Sequence, residues 1–203
     1  MSTMSVGKPG HSTTRSNTRG LLRPPRAVRA RDLTVSARLR SQPTSVRFDR
    51  AMVGLSVLAD HGKLWAVAGA VLAVTGHRSA ATRGMVSLGF ASASANLIGK
   101  QLFGGTRPLL SRVPLRRQLA RSPTSATFPS GHSASAFAFA VAASIEDRRL
   151  AVVLVPMAVA VAYSRLHTGA HWLSDVVGGA LLGASAAVVD AALHSGRSRM
   201  ATQ

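Results

Sequence analysis

The sequence predicts an all-α protein, a multi-pass transmembrane bundle of five to six helices, and three observations carry that expectation. Of 203 residues, 46% are hydrophobic, and nearly all of the apolar mass lies between residues 51 and 195. Val and Ile are frequent there, but they are embedded in Ala, Leu and Met runs without the period-two alternation or hairpin turns of strands. Acids are scarce: seven Asp and Glu stand against 25 Lys and Arg, giving a net charge of +18.

Residues 1–50 hold eleven of the basic residues, only Asp32 and Asp49 as acids, and many Ser, Thr and Pro. Such a segment buries too little apolar surface to offset its ordering entropy, so residues 1–48 are expected to form a disordered basic tail. Residues 49–195 are expected to form one membrane domain, and residues 196–203 a short tail. The excess charge suits anionic lipid headgroups better than nucleic acid: aromatic residues are only 4%, and no nucleic-acid-binding motif is present. Without cysteine, disulfides, thiol nucleophiles and thiolate metal sites are all excluded.

Five apolar stretches follow in order: residues 64–75, 84–98, 134–145, 150–163 and 176–193. A spanning helix needs about 20 residues. With their flanks, residues 51–75, 80–102, 131–145, 149–165 and 172–193 approach or exceed that length. A soluble helical core is the alternative, but residues 150–163 (LAVVLVPMAVAVAY) are apolar all round and offer no polar face. Breaks fall at residues 77–83, in the polar loop 104–127 and at residues 146–149. Gly179 and Gly183 form a GxxxG pair that allows close helix packing.

Alternating the helix directions brings distant polar residues together. Lys100 ends the second stretch, Ser130 and His132 begin the third, Arg165 ends the fourth, and His171 with Asp175 begins the fifth. All fall at one end of the bundle, so an active site is expected at one membrane face. Lys100 and Arg107 flank a loop containing Gly104 and Gly105, where two cations can approach one anion. Ser130 and Gly131 open a helix whose positive end suits a bound phosphate. His171 and Asp175, four apart, are expected on one helix face, where the carboxylate holds one ring nitrogen and the other is presented as a nucleophile. Each stretch alone has a structural explanation: cations that snorkel, a serine cap, a buried His–Asp pair. Ionisable groups at a membrane are costly, however, and their convergence favours a functional site.

The pattern K-x6-RP (Lys100 to Pro108), PSGH (Pro129 to His132) and SR-x5-H-x3-D (Ser164 to Asp175) resembles the signature of the type 2 phosphatidic acid phosphatase superfamily, whose relatives include vanadium haloperoxidases. The resemblance covers roughly residues 49–193. It implies a metal-independent lipid phosphatase of the cell membrane that needs no cofactor and works through a phosphohistidine. By that resemblance His171 is the nucleophile, Asp175 orients it, and His132 serves as acid and base. Lys100, Arg107, Arg165, Ser130 and the Gly131 amide hold the phosphate oxygens. Three cations supply the charge stabilisation that phosphoryl transfer needs.

Phosphatidic acid, phosphatidylglycerol phosphate and polyprenyl phosphates or diphosphates are all open as substrates, because these motifs read only the phosphate. The rivals are a vanadium-dependent haloperoxidase, a non-catalytic membrane binder, and a metal hydrolase using His167, His171 and Asp175. A break near Trp172 sets His167 apart from the other two and leaves it without an assigned role. Five crossings put the termini on opposite faces and the basic tail on the catalytic face. A sixth, short helix over residues 51–60 instead puts both termini in the cytoplasm and the site on the extracytoplasmic face, which the resemblance favours.

Overall fold

The computed structural model describes residues 24–99, 102–103, 107–120 and 126–200, and the regular elements among them are helical. Seven α-helices occur in this part of the chain: α1 (Arg26–Ser41), α2 (Val46–Leu58), α3 (Lys63–Val74), α4 (Arg78–Ser94), α5 (Gly131–Glu146), α6 (Ala151–His167) and α7 (Leu173–Met200). A π-helical turn, Ala95–Gly99, prolongs α4, and two short 3-10 turns, Leu110–Arg112 and Leu115–Arg117, lie in the loop before α5.

Helices α3 to α7 run alternately between two ends of a bundle around α5. Alanine explains why α5 can be central. Ala134, Ala136, Ala138, Ala140 and Ala143 are fully buried, and such small side chains let α4, α6 and α7 approach together. Phe139 fills the remaining space against Trp65 of α3, with ring centroids 5.1 Å apart. The glycines of α7 set the closest approach. A Cβ at Gly179 would stand 2.4 Å from the Ser130 carbonyl oxygen, and one at Gly183 would stand 2.1 Å from that of Ala134.

Outward faces are apolar as well. Val67, Phe90, Val152, Val153 and Leu181 are all exposed, which suits hydrocarbon better than water. Two helical stretches among the described residues are long and apolar enough to cross a membrane: Arg148–His167, mean hydropathy 1.7, and Leu173–His194, mean hydropathy 1.9.

Three sequence expectations need correction. Residues 51–75 are not one continuous helix: α2 and α3 are bent by 67°. His61 (φ 57°) and Gly62 (φ 74°) take left-handed conformations that no right-handed helix can continue through. The basic tail is not wholly without structure, because residues 26–41 form α1. Asp32 of that helix is buried and accepts from the Ser174 N–H (2.9 Å) and hydroxyl (2.7 Å). One well-placed carboxylate at the start of α7 thus supplies the anchor that composition did not show. With α1 and the α2/α3 break, the described residues form seven helices rather than five or six. Residues 1–23 of the tail lie outside the described residues.

Gly183→Val should lower the thermal unfolding midpoint in detergent by the equivalent of roughly 3 kcal/mol, the upper end of overpacking costs. Gly89→Ala, with nothing within 4 Å of its added Cβ, should instead be neutral or stabilising by up to about 1 kcal/mol. Equal midpoints for the two variants would contradict the packing described.

Candidate active site

The site begins where two helices start side by side. Ser130 caps α5, its hydroxyl accepting from the Ser133 N–H (3.4 Å) and the Ser133 hydroxyl (3.0 Å). The Ser130 N–H donates across to the main-chain carbonyl of Asp175 in the first turn of α7, at 2.9 Å. The N-terminal ends of α5 and α7, each the positive end of a helix dipole, therefore face the same space. Nothing lies within 4 Å of the position a Cβ would take at Gly131, so its surroundings are open to a ligand.

His171 sits in the turn before α7, not on a helix face as the four-residue spacing suggested. The reason is local: the Asp175 carboxylate accepts from the Trp172 N–H at 2.9 Å and so caps the start of α7 one residue after His171. Even so, the two side chains are close, with His171 Nδ1 3.4 Å from Asp175 Oδ2. The Thr127 side chain also hydrogen-bonds that carboxylate. Both His171 and Asp175 are buried.

The chain reaches His171 from the end of α6 through a turn that needs glycine. Gly169 has φ +68°, and a Cβ there would stand 2.5 Å from Val113 Cγ2. The Arg165 carbonyl accepts the N–H groups of Ala170 (3.0 Å) and His171 (3.2 Å), which ties the turn to the arginine. Arg165 is 1% exposed and hydrogen-bonds the Ser56 hydroxyl through Nη1, and its Nε has no hydrogen-bond partner among the described residues. Arg107 enters from the loop before α5 and donates to the Ala170 carbonyl at 2.6 Å. Burial lowers the pKa of Arg107 from its ordinary value, and the Asp175 charge opposes that. His132, on the first turn of α5, lies within electrostatic reach of both Arg165 and His171.

Of the residues expected at the site, His132, His171, Asp175, Arg107, Arg165, Ser130 and Gly131 are brought to one end of the bundle. Lys100 lies outside the described residues, as do Gly104, Gly105 and Arg121. His167 is elsewhere: its Nε2 is 2.7 Å from Oδ1 of Asp49. The trio of His167, His171 and Asp175 is therefore not assembled, and no cluster of three or more His, Cys, Asp or Glu side chains suited to a metal occurs among the described residues.

Two acids escaped the sequence reading. Asp60, at the bend between α2 and α3, holds His132 Nε2 at 2.6 Å. The signal was present: Asp60-His61-Gly62 is a polar break in an otherwise apolar run. Asp49 is fully buried and gathers Thr44 (2.6 Å), Arg117 (3.0 Å), Arg116 and His167. Arg117 also donates to the carbonyls of Leu39 and Gln42. Asp49 thereby fastens α1, α2 and the loop before α5 to the end of α6, two residues beyond Arg165.

The described part of the chain is thus a helical bundle with two histidines and two arginines, His132, His171, Arg107 and Arg165, gathered at one end. The PAP2 superfamily matches residues 80–199, more than half of the chain, and the protein belongs to that superfamily. Its fold is similar to that of a transmembrane PAP2-type phosphatidylglycerolphosphate phosphatase from Bacillus subtilis. The TM-score is 0.66 at 19% identity, over 84% of this chain and 88% of that one. It is also similar to LpxE of Aquifex aeolicus, with a TM-score of 0.53 at 19% identity, over 78% of this chain and 93% of that one. No curated protein matches the sequence significantly.

Asp60→Asn should lower kcat for phosphate ester hydrolysis about 10- to 100-fold, within the range for impaired acid–base catalysis, with KM nearly unchanged. Asp60→Glu should restore part of the loss. A change confined to KM would mean that Asp60 contacts substrate instead of positioning His132.

Proposed function

We propose that this protein is a membrane lipid phosphatase that hydrolyses the phosphomonoester or diphosphate of a lipid through a phosphohistidine. The observation that carries the reading is the meeting of the His171–Asp175 pair, His132, Arg107 and Arg165 beside two helix starts. That arrangement offers a nucleophile, an acid–base group and a cationic clamp around one space. An apolar cavity of about 370 Å³, lined by Leu102, Phe103, Phe128, Pro129 and Leu182, adjoins Ser130 and supports a lipid as the substrate.

In the first step Nε2 of His171 attacks phosphorus in line and the bond from phosphorus to the lipid oxygen breaks. Asp175, beside Nδ1, stabilises the imidazolium that forms. Arg107 and Arg165, with Lys100, the Ser130 hydroxyl and the Gly131 amide, balance charge on the three equatorial oxygens. His132 gives its proton to the departing alkoxide. In the second step His132 takes a proton from water, which attacks phosphorus and releases inorganic phosphate and free His171. Asp60 holds one ring nitrogen of His132 and leaves the other for this proton traffic. No step requires a metal ion.

Phosphate release from phosphatidic acid, phosphatidylglycerol phosphate and polyprenyl phosphates by the purified protein is the direct test. Release should persist in EDTA. His171→Ala should form no phosphoenzyme and lose essentially all turnover. His132→Ala should lose about 10²- to 10⁴-fold in turnover while accumulating acid-labile phosphoenzyme from an ester with a good leaving group. Full turnover by His171→Ala, or activity restored only by added zinc after chelation, would overturn the mechanism.

A further inference from the structure

We propose that α1 is a strap between the anionic lipid headgroups around the site and the start of α7. Its outer face of arginines binds the headgroup layer, and Asp32 on its inner face holds Ser174. The proposal rests on the charge and packing of α1 and does not depend on the phosphatase reading.

Helix α1 packs against α6 and α7, and polar bonds fasten it there. Asp32 is its only buried side chain, and the carboxylate accepts from the Ser174 N–H (2.9 Å) and hydroxyl (2.7 Å). Arg117 donates to the carbonyls of Leu39 (3.1 Å) and Gln42 (2.9 Å). Val28, Val35 and Leu39 are only half-buried. Helices in proteins draw most of their stability from packing an apolar face, and α1 has little of one to pack. Its own charges work against it. The helix holds five arginines and one acid, its first turn has no acid, and the residue before it, Pro25, forms no side-chain cap. Arg26 and Arg29 therefore sit three residues apart at the positive end of the helix dipole, where the dipole repels both and they repel each other. In the last turn, burial and the nearby charge of Arg112 hold Arg40 below its ordinary pKa, so the positive excess continues into the loop before α5.

A layer of negative charge against its outer side completes such a helix. Arg26, Arg29, Arg31 and Arg38 are all exposed, and Leu33 is exposed among them. Basic residues with an apolar one between them suit a helix lying in a headgroup layer that contains anionic lipid. The bundle brings that layer to α1, because Ser174 lies at an end of the apolar bundle, where headgroups surround it. Helix α2 continues the surface, exposing Arg47 and Arg50 beside Val46 and Phe48. The four arginines of α1 are spread along roughly 18 Å of helix, which matches an extended anionic surface better than one small anion. The Asp32 contact gives the seating a consequence. Ser174 directly precedes Asp175, whose own carboxylate accepts from the Trp172 N–H. Two carboxylates, one from α7 and one from α1, thus divide the Trp172 and Ser174 N–H groups of this helix start between them. Anionic lipid that orders α1 thereby orders the first turn of α7 beside His171.

Amide hydrogen exchange of the full chain in lipid nanodiscs reads both ends of the strap. When phosphatidylglycerol is added to phosphatidylcholine discs, residues 26–41 should exchange at least about tenfold more slowly, the effect of roughly two arginines at an anionic surface. Residues 172–178 should slow with them. Replacing Arg26, Arg29, Arg31 and Arg38 together by Gln, all at exposed positions, should abolish the response in both segments while leaving the thermal midpoint in detergent unchanged. Asp32→Ala should keep the response of α1 and lose that of residues 172–178, and Ser174→Ala, which removes the hydroxyl bond alone, should weaken the latter. Equal exchange of the wild-type chain in both kinds of disc would overturn the proposal, as would an undiminished response after the four Arg→Gln replacements. A response of residues 172–178 that survives Asp32→Ala would overturn the strap. Inorganic phosphate or short duplex DNA that slowed α1 equally in phosphatidylcholine discs would overturn the assignment of lipid as the partner. None of these readouts needs the protein to cleave a lipid, so a failed phosphatase assay leaves this inference standing and the reverse also holds.

Discussion

The Ser130 N–H donates to the Asp175 carbonyl across 2.9 Å, and the whole site depends on the closeness that this bond reports. It joins the starts of α5 and α7, which are 42 positions apart along the chain. One turn further on, Gly179 lies under the Ser130 carbonyl, and another turn on, Gly183 lies under that of Ala134. Side chains at either glycine would push α7 outward and carry His171 and Asp175 away from His132. The glycine pair that looks like ordinary helix packing in the sequence is therefore also what sets the distance between two histidines.

Gathering cations at such a junction has a cost, since a buried charge loses its hydration. The protein meets it with local partners. Arg107 has the Ala170 carbonyl, Arg165 has Ser56, and Asp175 has Trp172 and Thr127. The two helix N-termini then face a region with several fixed positive groups, where a phosphate would complete the electrostatics. Asp49 performs the matching task behind the site. It binds Arg117, Arg116 and His167 together and so prevents the loop before α5 and the end of α6 from separating. His167, which the spacing of the third motif made a candidate ligand, acts in this support instead.

Much of this was legible in the sequence because the motifs sit at helix ends. Period and apolarity place the helices, direction follows by alternation, and PSGH together with His171 and Asp175 then fall at one end whatever their separation along the chain. What stayed hidden depends on single contacts. The helix at residues 26–41 has the composition of a disordered tail, and one Asp32 carboxylate on Ser174 anchors it. The break at Asp60, where the short-helix alternative over residues 51–60 ends, was visible as a polar interruption, but the 67° bend that two consecutive left-handed residues make there was not. Neither Asp49 nor Asp60 belongs to a motif, so nothing short of the fold joins them to His167 and His132.

The central claim is that two histidines from two adjacent helix starts divide phosphoryl transfer into two in-line displacements. The stereochemical course at phosphorus measures that most directly. A thiophosphate monoester made chiral with oxygen isotopes, hydrolysed in isotopically labelled water, should give product with retained configuration, because two inversions cancel. Inverted product would mean that water attacks the ester directly, and the role given to His171 would be wrong.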